Sequence, residues 1–239
     1  GLCENLGYAG NNNVGIEAAM KRGADWVFLL NEDTVLAPDC LRWLVEVGES
    51  EPAIGIVGPM VYHYDHPDMI QSAGALLGPA WQSIHLRQNE TDSGRFAKPR
   101  LVEWISGCAI MVRRAVIEQA GMIDARFFCY WEETEWCLRA AKAGWRIVHV
   151  PQAKVWHKGV RPDYHPQPYV TYYNTRNRLL LLHKHHAPLR AWIGAWFQIL
   201  RTLASWSVRP KWRTMRDHRD AIWRGMTDFF RGRWGQMPS

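Results

Sequence analysis

Trp26-Val27-Phe28-Leu29-Leu30 runs without a break into Asn31-Glu32-Asp33. A short continuous apolar run fits a strand buried on both faces of a sheet. Asn31-Glu32-Asp33 then stands at the carboxyl end of that strand, where open α/β sheets bind their ligands. Working outward, Asn13 to Gly23 reads as a helix. Asn13 can cap it, Val14, Ile16, Ala19 and Met20 have helical spacing, and Gly23 stops it. Asp39 to Glu49 predicts a second amphipathic helix, and Ile54 to Val61 a second strand. Residues 63 to 100 show no sustained period and read as loops with short strands. Ile105 to Val112 predicts a strand, Arg114 to Gly121 a short helix and Glu132 to Gly144 a longer one. Arg146 to Val150 reads as a strand ending at Pro151, followed by Lys154-Val155-Trp156-His157. Strands alternating with helices predict an α/β fold with a mixed or parallel sheet.

From Tyr169 onward the pattern is helical throughout. Tyr169 to His185 forms one helix, and Trp192, Trp196, Ile199, Leu200 and Leu203 mark a second. A third, basic helix runs from Lys211 to Phe230, beyond the break at Pro210. Ala191 to Val208 is largely apolar, yet Arg201 sits near its middle. An arginine there costs roughly 2.5–3.5 kcal/mol in a spanning helix, so a helix lying in a membrane interface fits better.

With 239 residues the chain can bury one good core and a small appendage. Fourteen tryptophans favour surfaces with one apolar and one wet side, such as sugar platforms or membrane interfaces. The net charge of +6 is uneven: residues 1–175 hold 16 Lys+Arg against 20 Asp+Glu, and residues 176–239 hold 13 against 3. Such a tail meets an anionic surface, either lipid or nucleic acid. Cys3, Cys40, Cys108, Cys129 and Cys137 are odd in number and form no C-x-x-C pair, which argues against a disulfide framework or zinc site and for a reducing compartment. The opening residues do not read as a signal peptide, and Gly1 leads straight into what reads as the middle of a domain.

Phe127-Phe128-Cys129-Tyr130-Trp131-Glu132-Glu133-Thr134-Glu135-Trp136 places three carboxylates among large aromatics. Acids in a first helical turn oppose the helix dipole. Capping does not account for the aromatics around them. A carboxylate against apolar walls has a raised pKa, which suits a general base. Asp33 has two readings, a turn and cap residue or a ligand for a hard cation on diphosphate oxygens. His157 is either a polar strand end or part of the same site. Trp104 and Trp131 either stack on sugar faces or pack in the core. His183-Lys184-His185-His186 reads as a solvated helix end, and His63 and His66 as loop residues rather than metal ligands.

In order along the chain, these segments resemble the family 2 glycosyltransferases of the GT-A fold, in their rhamnosyltransferase-like branch. Asn5-x-Gly7-Tyr8-Ala9-Gly10-x-x-Asn13-x-Gly15 is similar to the family's N-x-G-[FY]-[AG]-x-x-x-N-x-G element. Leu30-Asn31-Glu32-Asp33 is similar to its L-N-x-D form of the D-x-D motif. Ser106-Gly107-Cys108-Ala109, Arg113-Arg114 and Gly121-x-Ile123-Asp124 follow its G-A-x-x-x-x-R-R … G-x-F-D run. Tyr130-x-Glu132-Glu133-x-Glu135-x-x-x-Arg139 is similar to Y-x-E-D-x-D-x-x-x-R, and Val155-x-His157 and Arg176-Asn177 also match. The pattern's E-D pair is Glu-Glu here, its first D-x-D acid is Asn31, and Ile123 replaces phenylalanine.

The resemblance implies a GT-A, Rossmann-like mixed sheet flanked by helices over residues 1–180, with a C-terminal helical appendage over 181–239. It implies inverting transfer of a sugar from a nucleotide-diphosphate donor to a glycan or lipid-linked acceptor. Asp33 and His157 would hold Mg²⁺ or Mn²⁺, and Asn5, Gly7, Asn13 and Asn31 would join Asp33 on the donor side. Glu133 would be the base, and Glu132, Gly107, Trp104 and Trp131 would face the acceptor. Family members carry about two further β-α units before the first of these motifs, so the chain is expected to be a truncated or fragmentary member with an exposed sheet edge. A catalytically inactive sugar-binding remnant is the alternative. The basic tail is expected on the inner face of the cell membrane rather than on nucleic acid, for which no motif is present.

Overall fold

The computed structural model describes residues 4–94, 97–159 and 165–238; Cys3 lies outside them. Helix α1 (Gly7–Lys21) leads into β1 (Trp26–Leu30), β2 (Thr34–Leu36) and α2 (Cys40–Ser50). There follow β3 (Ile54–His63), β4 (Ile70–Ser72), β5 (Ala75–Leu77), β6 (Ser83–His85), β7 (Arg100–Leu101) and β8 (Ala109–Arg113). Then come α3 (Arg114–Ala120), α4 (Glu132–Lys142), β9 (Arg146–His157), α5 (Pro168–Lys184), α6 (Leu189–Val208) and α7 (Arg216–Phe230).

The main sheet has the order β1-β8-β3-β9-β2, with β4 added to β3 and β7 to β9. It is mixed: β3 and β9 run parallel, and the other pairs are antiparallel. Side chains alternate between two apolar layers, as the pleat requires. Ile56, Ile110, Val112 and Ile147 join Ile16, Val116 and Trp136 on the face covered by α1, α3 and α4. Val57, Met111 and Val148 join Leu44 on the face covered by α2. Val27 and Leu29 of β1 are buried in the first layer, whereas Trp26 and Phe28 are only half-covered in the second. The expected burial on both faces is therefore complete on one face alone. Among the described residues β1 is an edge strand, pairing with β8 only.

Other boundaries moved as well, and β8 begins at Ala109 rather than Ile105. Helix α1 begins at Gly7, so Asn13 is interior and not a cap. Strand β9 continues through Pro151: Val150 pairs with Pro59 and Lys154 with Met60, so residues 151 to 153 bulge out of the ladder. A proline lacks the N–H a ladder needs, and a bulge removes that need. The third tail helix is split into a 3-10 turn (Pro210–Met215) and α7.

The boundary drawn at residue 180 falls inside α5. One part of α5 packs Leu180 and Leu181 on Phe127 and Trp131. Leu179 and Leu182 pack instead on Ala191, Ala195, Leu203, Ile222 and Met226 of α6 and α7. The helical tail is thus continuous with the sheet domain through one shared helix. His185, expected to be solvated, is buried, with Nε2 3.1 Å from Glu135 Oε1. Lys184 Nζ adds an ion pair to the same oxygen at 2.8 Å.

Candidate active site

Strand pairing assembles the first half of the site. At the end of β1, the Asn31 N–H donates to the Cys108 carbonyl (2.9 Å), and Thr34 turns the chain by donating its N–H and hydroxyl to the Asn31 carbonyl. Strand β2 then pairs with β9 so that Thr34 lies opposite His157. That register sets Asp33 Oδ1 3.2 Å from His157 Nε2. His157 Nδ1 lies 3.1 Å from the Gln71 amide of β4. Burial lowers the His157 pKa against the opposing pull of Asp33. Nε2–H donates to Asp33 Oδ1 when Nδ1 accepts from the Gln71 amide; the opposite tautomer, with Nδ1–H on Gln71 Oε1, is the one that frees an Nε2 lone pair for a cation.

A carboxylate and an imidazole nitrogen are suitable donors for a divalent cation. A Cβ on Gly159 would crowd Asp33 Oδ2 and lie 3.2 Å from His157 Nε2, so glycine keeps the space beside the pair open. No group of three or more His, Cys, Asp or Glu able to hold a metal occurs among the described residues. Asp33 and His157 are two such residues, and no third joins them among the described residues.

The second half is the start of α4. Phe128, Tyr130 and Trp131 all have positive φ (66°, 66° and 76°), a conformation costing non-glycine residues about 1–3 kcal/mol each. Asn177 of α5 holds this loop: its Nδ2 donates to the carbonyls of Phe127, Cys129 and Tyr130, each at 2.8 Å. The buried Arg176 donates to the carbonyls of Phe127 (3.1 Å) and Gly235 (2.8 Å). From the other side, the Ala9 N–H donates to the Phe128 carbonyl at 3.0 Å.

Glu132 and Glu133 therefore open α4 inside the protein. Neither Oε2 has a hydrogen-bond partner, although both are shielded from bulk solvent. Burial, then the neighbouring Glu133, pushes the Glu132 pKa well up. Burial pushes Glu133 up to about 7, against the pull of backbone N–H groups at the helix start. These carboxylates face a cavity of about 490 Å³ that also takes in Asn31, Gly107, Tyr130 and His157.

Of the residues named from sequence, Asn31, Gly107, Glu132, Glu133 and His157 line this cavity, and Asp33 joins through His157. Asn5, Gly7, Asn13, Trp104 and Trp131 do not line it. Asn5 Oδ1 accepts from the Gly7 N–H (2.9 Å), a local turn at the start of α1. Both ends of the Asn13 amide bond the Ile123 backbone, at 2.8 and 3.1 Å, and staple α1 to the loop after α3. Trp104 is buried and meets His85 edge-on at 4.8 Å. Trp131 is buried with Phe127 and Leu181 and donates Nε1–H to Asn174 at 2.9 Å. Both indoles are buried among protein groups.

Gly7 has a structural task too. Its φ is +72°, and a Cβ there would run into the Phe128 carbonyl. Gly7→Ala is expected to lower stability by about 1–3 kcal/mol. It should also lower kcat, because the clash falls on the loop that aims Glu133. Urea unfolding and steady-state kinetics on one sample check both effects.

Tyr8, Gln71, His85, Gln88 and Tyr169 line the cavity without having been singled out as site residues. Tyr8 lies inside a matched motif, one position after Gly7, and its hydroxyl donates to the Gly107 carbonyl. Gln71, His85 and Gln88 come from the stretch without periodicity, where no local signal marks them.

The class of protein follows from this mixed sheet with acids off its strand ends. A solved structure described as GalNAc-T7 with UDP, GalNAc and Mn²⁺ superposes with a TM-score of 0.53 over 74% of this chain and 38% of that one, at 13% identity, and the fold is GT-A. The family model for "Glycosyltransferase like family 2" matches residues 5–178, and the chain belongs to that family. An N-acetylglucosaminyl-diphospho-decaprenol L-rhamnosyltransferase of Mycobacterium tuberculosis is 30% identical over 185 residues, covering 70% of this chain and 59% of the relative. The dTDP-rhamnosyl transferase RfbF of Shigella flexneri is 27% identical over 197 residues, covering 79% of this chain and 64% of the relative. The chain thus spans about three fifths of the length of these curated relatives.

Proposed function

We propose that this chain carries the acceptor-activating and metal-binding parts of an inverting glycosyltransferase. The reaction moves rhamnose or another hexose from a nucleotide-diphosphate donor to a lipid-linked or cell-surface glycan, at the inner face of the membrane. The observation that carries this reading is the orphaned Glu133 carboxylate, in one cavity with His157 and its partner Asp33. The family match and the rhamnosyltransferase relatives support the substrate class.

In this reading Glu133 takes the proton from the acceptor hydroxyl as that oxygen attacks the anomeric carbon. A pKa near 7 leaves a substantial ionised fraction at neutral pH. Glu132, whose pKa burial and the neighbouring Glu133 push well up, orients the acceptor. Asp33 and His157 would hold Mg²⁺ or Mn²⁺, which when bound neutralises charge on the departing nucleotide diphosphate. Asn31 and Gly107 border the donor and acceptor sides respectively. Attack from the Glu133 side, opposite the diphosphate, gives inversion.

The test is sugar transfer from a panel of nucleotide-diphosphate sugars, with Mn²⁺ or a chelator. Asp33→Ala is expected to cost at least about 100-fold in transfer, near 3 kcal/mol of transition-state stabilisation. Full activity in chelator, or in Asp33→Ala, would rule out the metal role. Donor binding without turnover across the panel would favour a sugar-binding remnant.

A further inference from the structure

We infer that the outer face of α6 docks on an anionic lipid bilayer. This deepens the reading of a lipid-linked acceptor and rests on it for its purpose. The inward face of α6, with Ala191, Ala195 and Leu203, is buried against α5 and α7. The outward face is not polar, as a helix on a water-facing surface would be. Leu189, Ile193, Phe197, Leu200 and Val208 are between 54% and 79% exposed. Their spacing of four, four, three and eight residues puts them on one stripe along the whole helix. No helix among the described residues is long and apolar enough to cross a membrane, so the stripe suits lying in the interface.

Charge selects the occupant. Between Leu189 and Arg216 there are six Lys or Arg and no Asp or Glu. At the end of α6, Arg201, Ser205, Trp206, Arg209 and Trp212 line a cavity of about 580 Å³. Guanidinium groups beside indoles at the edge of an apolar stripe suit lipid phosphate at headgroup depth. A second copy of this chain would bring its own basic stripe against this one, and like charges oppose that pairing.

The face is tied to the active cavity. Gly194 of α6 lets Ala80, in the turn between β5 and β6, approach closely, and Arg178 donates to the Ala80 carbonyl. Strand β6 ends at His85, which lines that cavity. Helix α6 is thus linked to one wall of the cavity through the β5–β6 hairpin.

The experiment is sedimentation of this chain with vesicles of phosphatidylcholine alone and of phosphatidylcholine mixed with phosphatidylglycerol, at low and high salt. The wild type is expected to bind the anionic vesicles and to release as salt rises. Ile193→Ser, Phe197→Ser and Leu200→Ser combined should weaken binding about 100-fold. Arg201→Gln, Arg209→Gln and Lys211→Gln combined should weaken it about 10-fold or more and remove the salt dependence. Circular dichroism and transfer to a water-soluble acceptor should be unchanged in both. Vesicle binding needs neither donor nor acceptor, so a transferase reading that fails leaves this result standing. Any of three outcomes overturns the proposal: no binding by the wild type, equal binding by the apolar variant, or a dimer that this variant dissolves without any vesicle binding.

Discussion

Glu133→Gln is expected to lower kcat for sugar transfer by about 10²–10⁴-fold while leaving donor affinity within a few fold. Glutamine keeps the size and hydrogen-bonding reach of the side chain but cannot take a proton at neutral pH. The wild-type rate should carry the same signature. The base works only when ionised, and burial holds its pKa up to about 7. The rate should therefore rise about tenfold per pH unit below 7 and level off above it. Because Glu132 and Glu133 are adjacent and both pushed up, this limb belongs to the pair. A rate independent of pH between 5 and 8, or a glutamine variant with more than a tenth of wild-type turnover, would remove Glu133 from the role.

The same substitution should make the protein more stable at pH 8. The folded-state pKa of Glu133 lies above its ordinary value of 4.5, so the unfolded chain ionises first. Ionisation thus favours unfolding as pH climbs from 4.5 to 7, and above 7 the cost is complete. Glutamine does not titrate and escapes it. The expected gain is about 2 kcal/mol at pH 8, less than the full shift because the carboxylate opens on the cavity. Near pH 4 the gain should vanish. Urea midpoints at the two pH values check the sign. Lower activity with higher stability is what a strained functional group predicts.

The second large effect is expected far from the reacting atoms. Asn177→Leu fills a similar volume but removes the two N–H donors shared among the carbonyls of Phe127, Cys129 and Tyr130. It also takes away the oxygen that accepts from Arg176 Nε at 2.9 Å. Buried carbonyls left without partners should cost about 3 kcal/mol in total. The left-handed residues Phe128, Tyr130 and Trp131 then lose the contact that offsets their strain, and the loop relaxes. A shift of an ångström at the start of α4 moves Glu133 off line, and kcat should fall about 100-fold. The measurements are a denaturant midpoint and kcat at a temperature where the variant stays folded. Reduced stability with unchanged kcat would show that other contacts aim the loop.

Much of this was legible in the chain. The apolar runs around Leu29, Val57 and Val148 announce strands because burial against helices demands them. The acids after Leu30 stand at a strand end, and the glutamates after Trp131 stand among large aromatics that capping does not account for; both places point to a site. The Arg176-Asn177 pair was visible as a matched motif, yet its partners were not, since the carbonyls it bonds lie about fifty residues away. The extent of β9 was hidden because Pro151 is a local stop signal, and only the bulge opposite Pro59 and Met60 shows why it does not act as one.

By itself the sequence determined the class of fold, the order of the acidic and histidine segments, and the basic, tryptophan-rich helical tail. These follow from apolar periodicity, residue order and composition, which are local properties. The tertiary structure alone decided which of the named residues share one cavity and which lie outside its lining. Strand register put Asp33 on His157, while Asn13, Trp104 and Trp131 went to stapling and packing. Burial raised the pKa of Glu133, and the outward face of α6 stayed exposed among the described residues. Register and burial are properties of which segments meet, and the residues that meet here lie up to 124 positions apart, as Asp33 and His157 do.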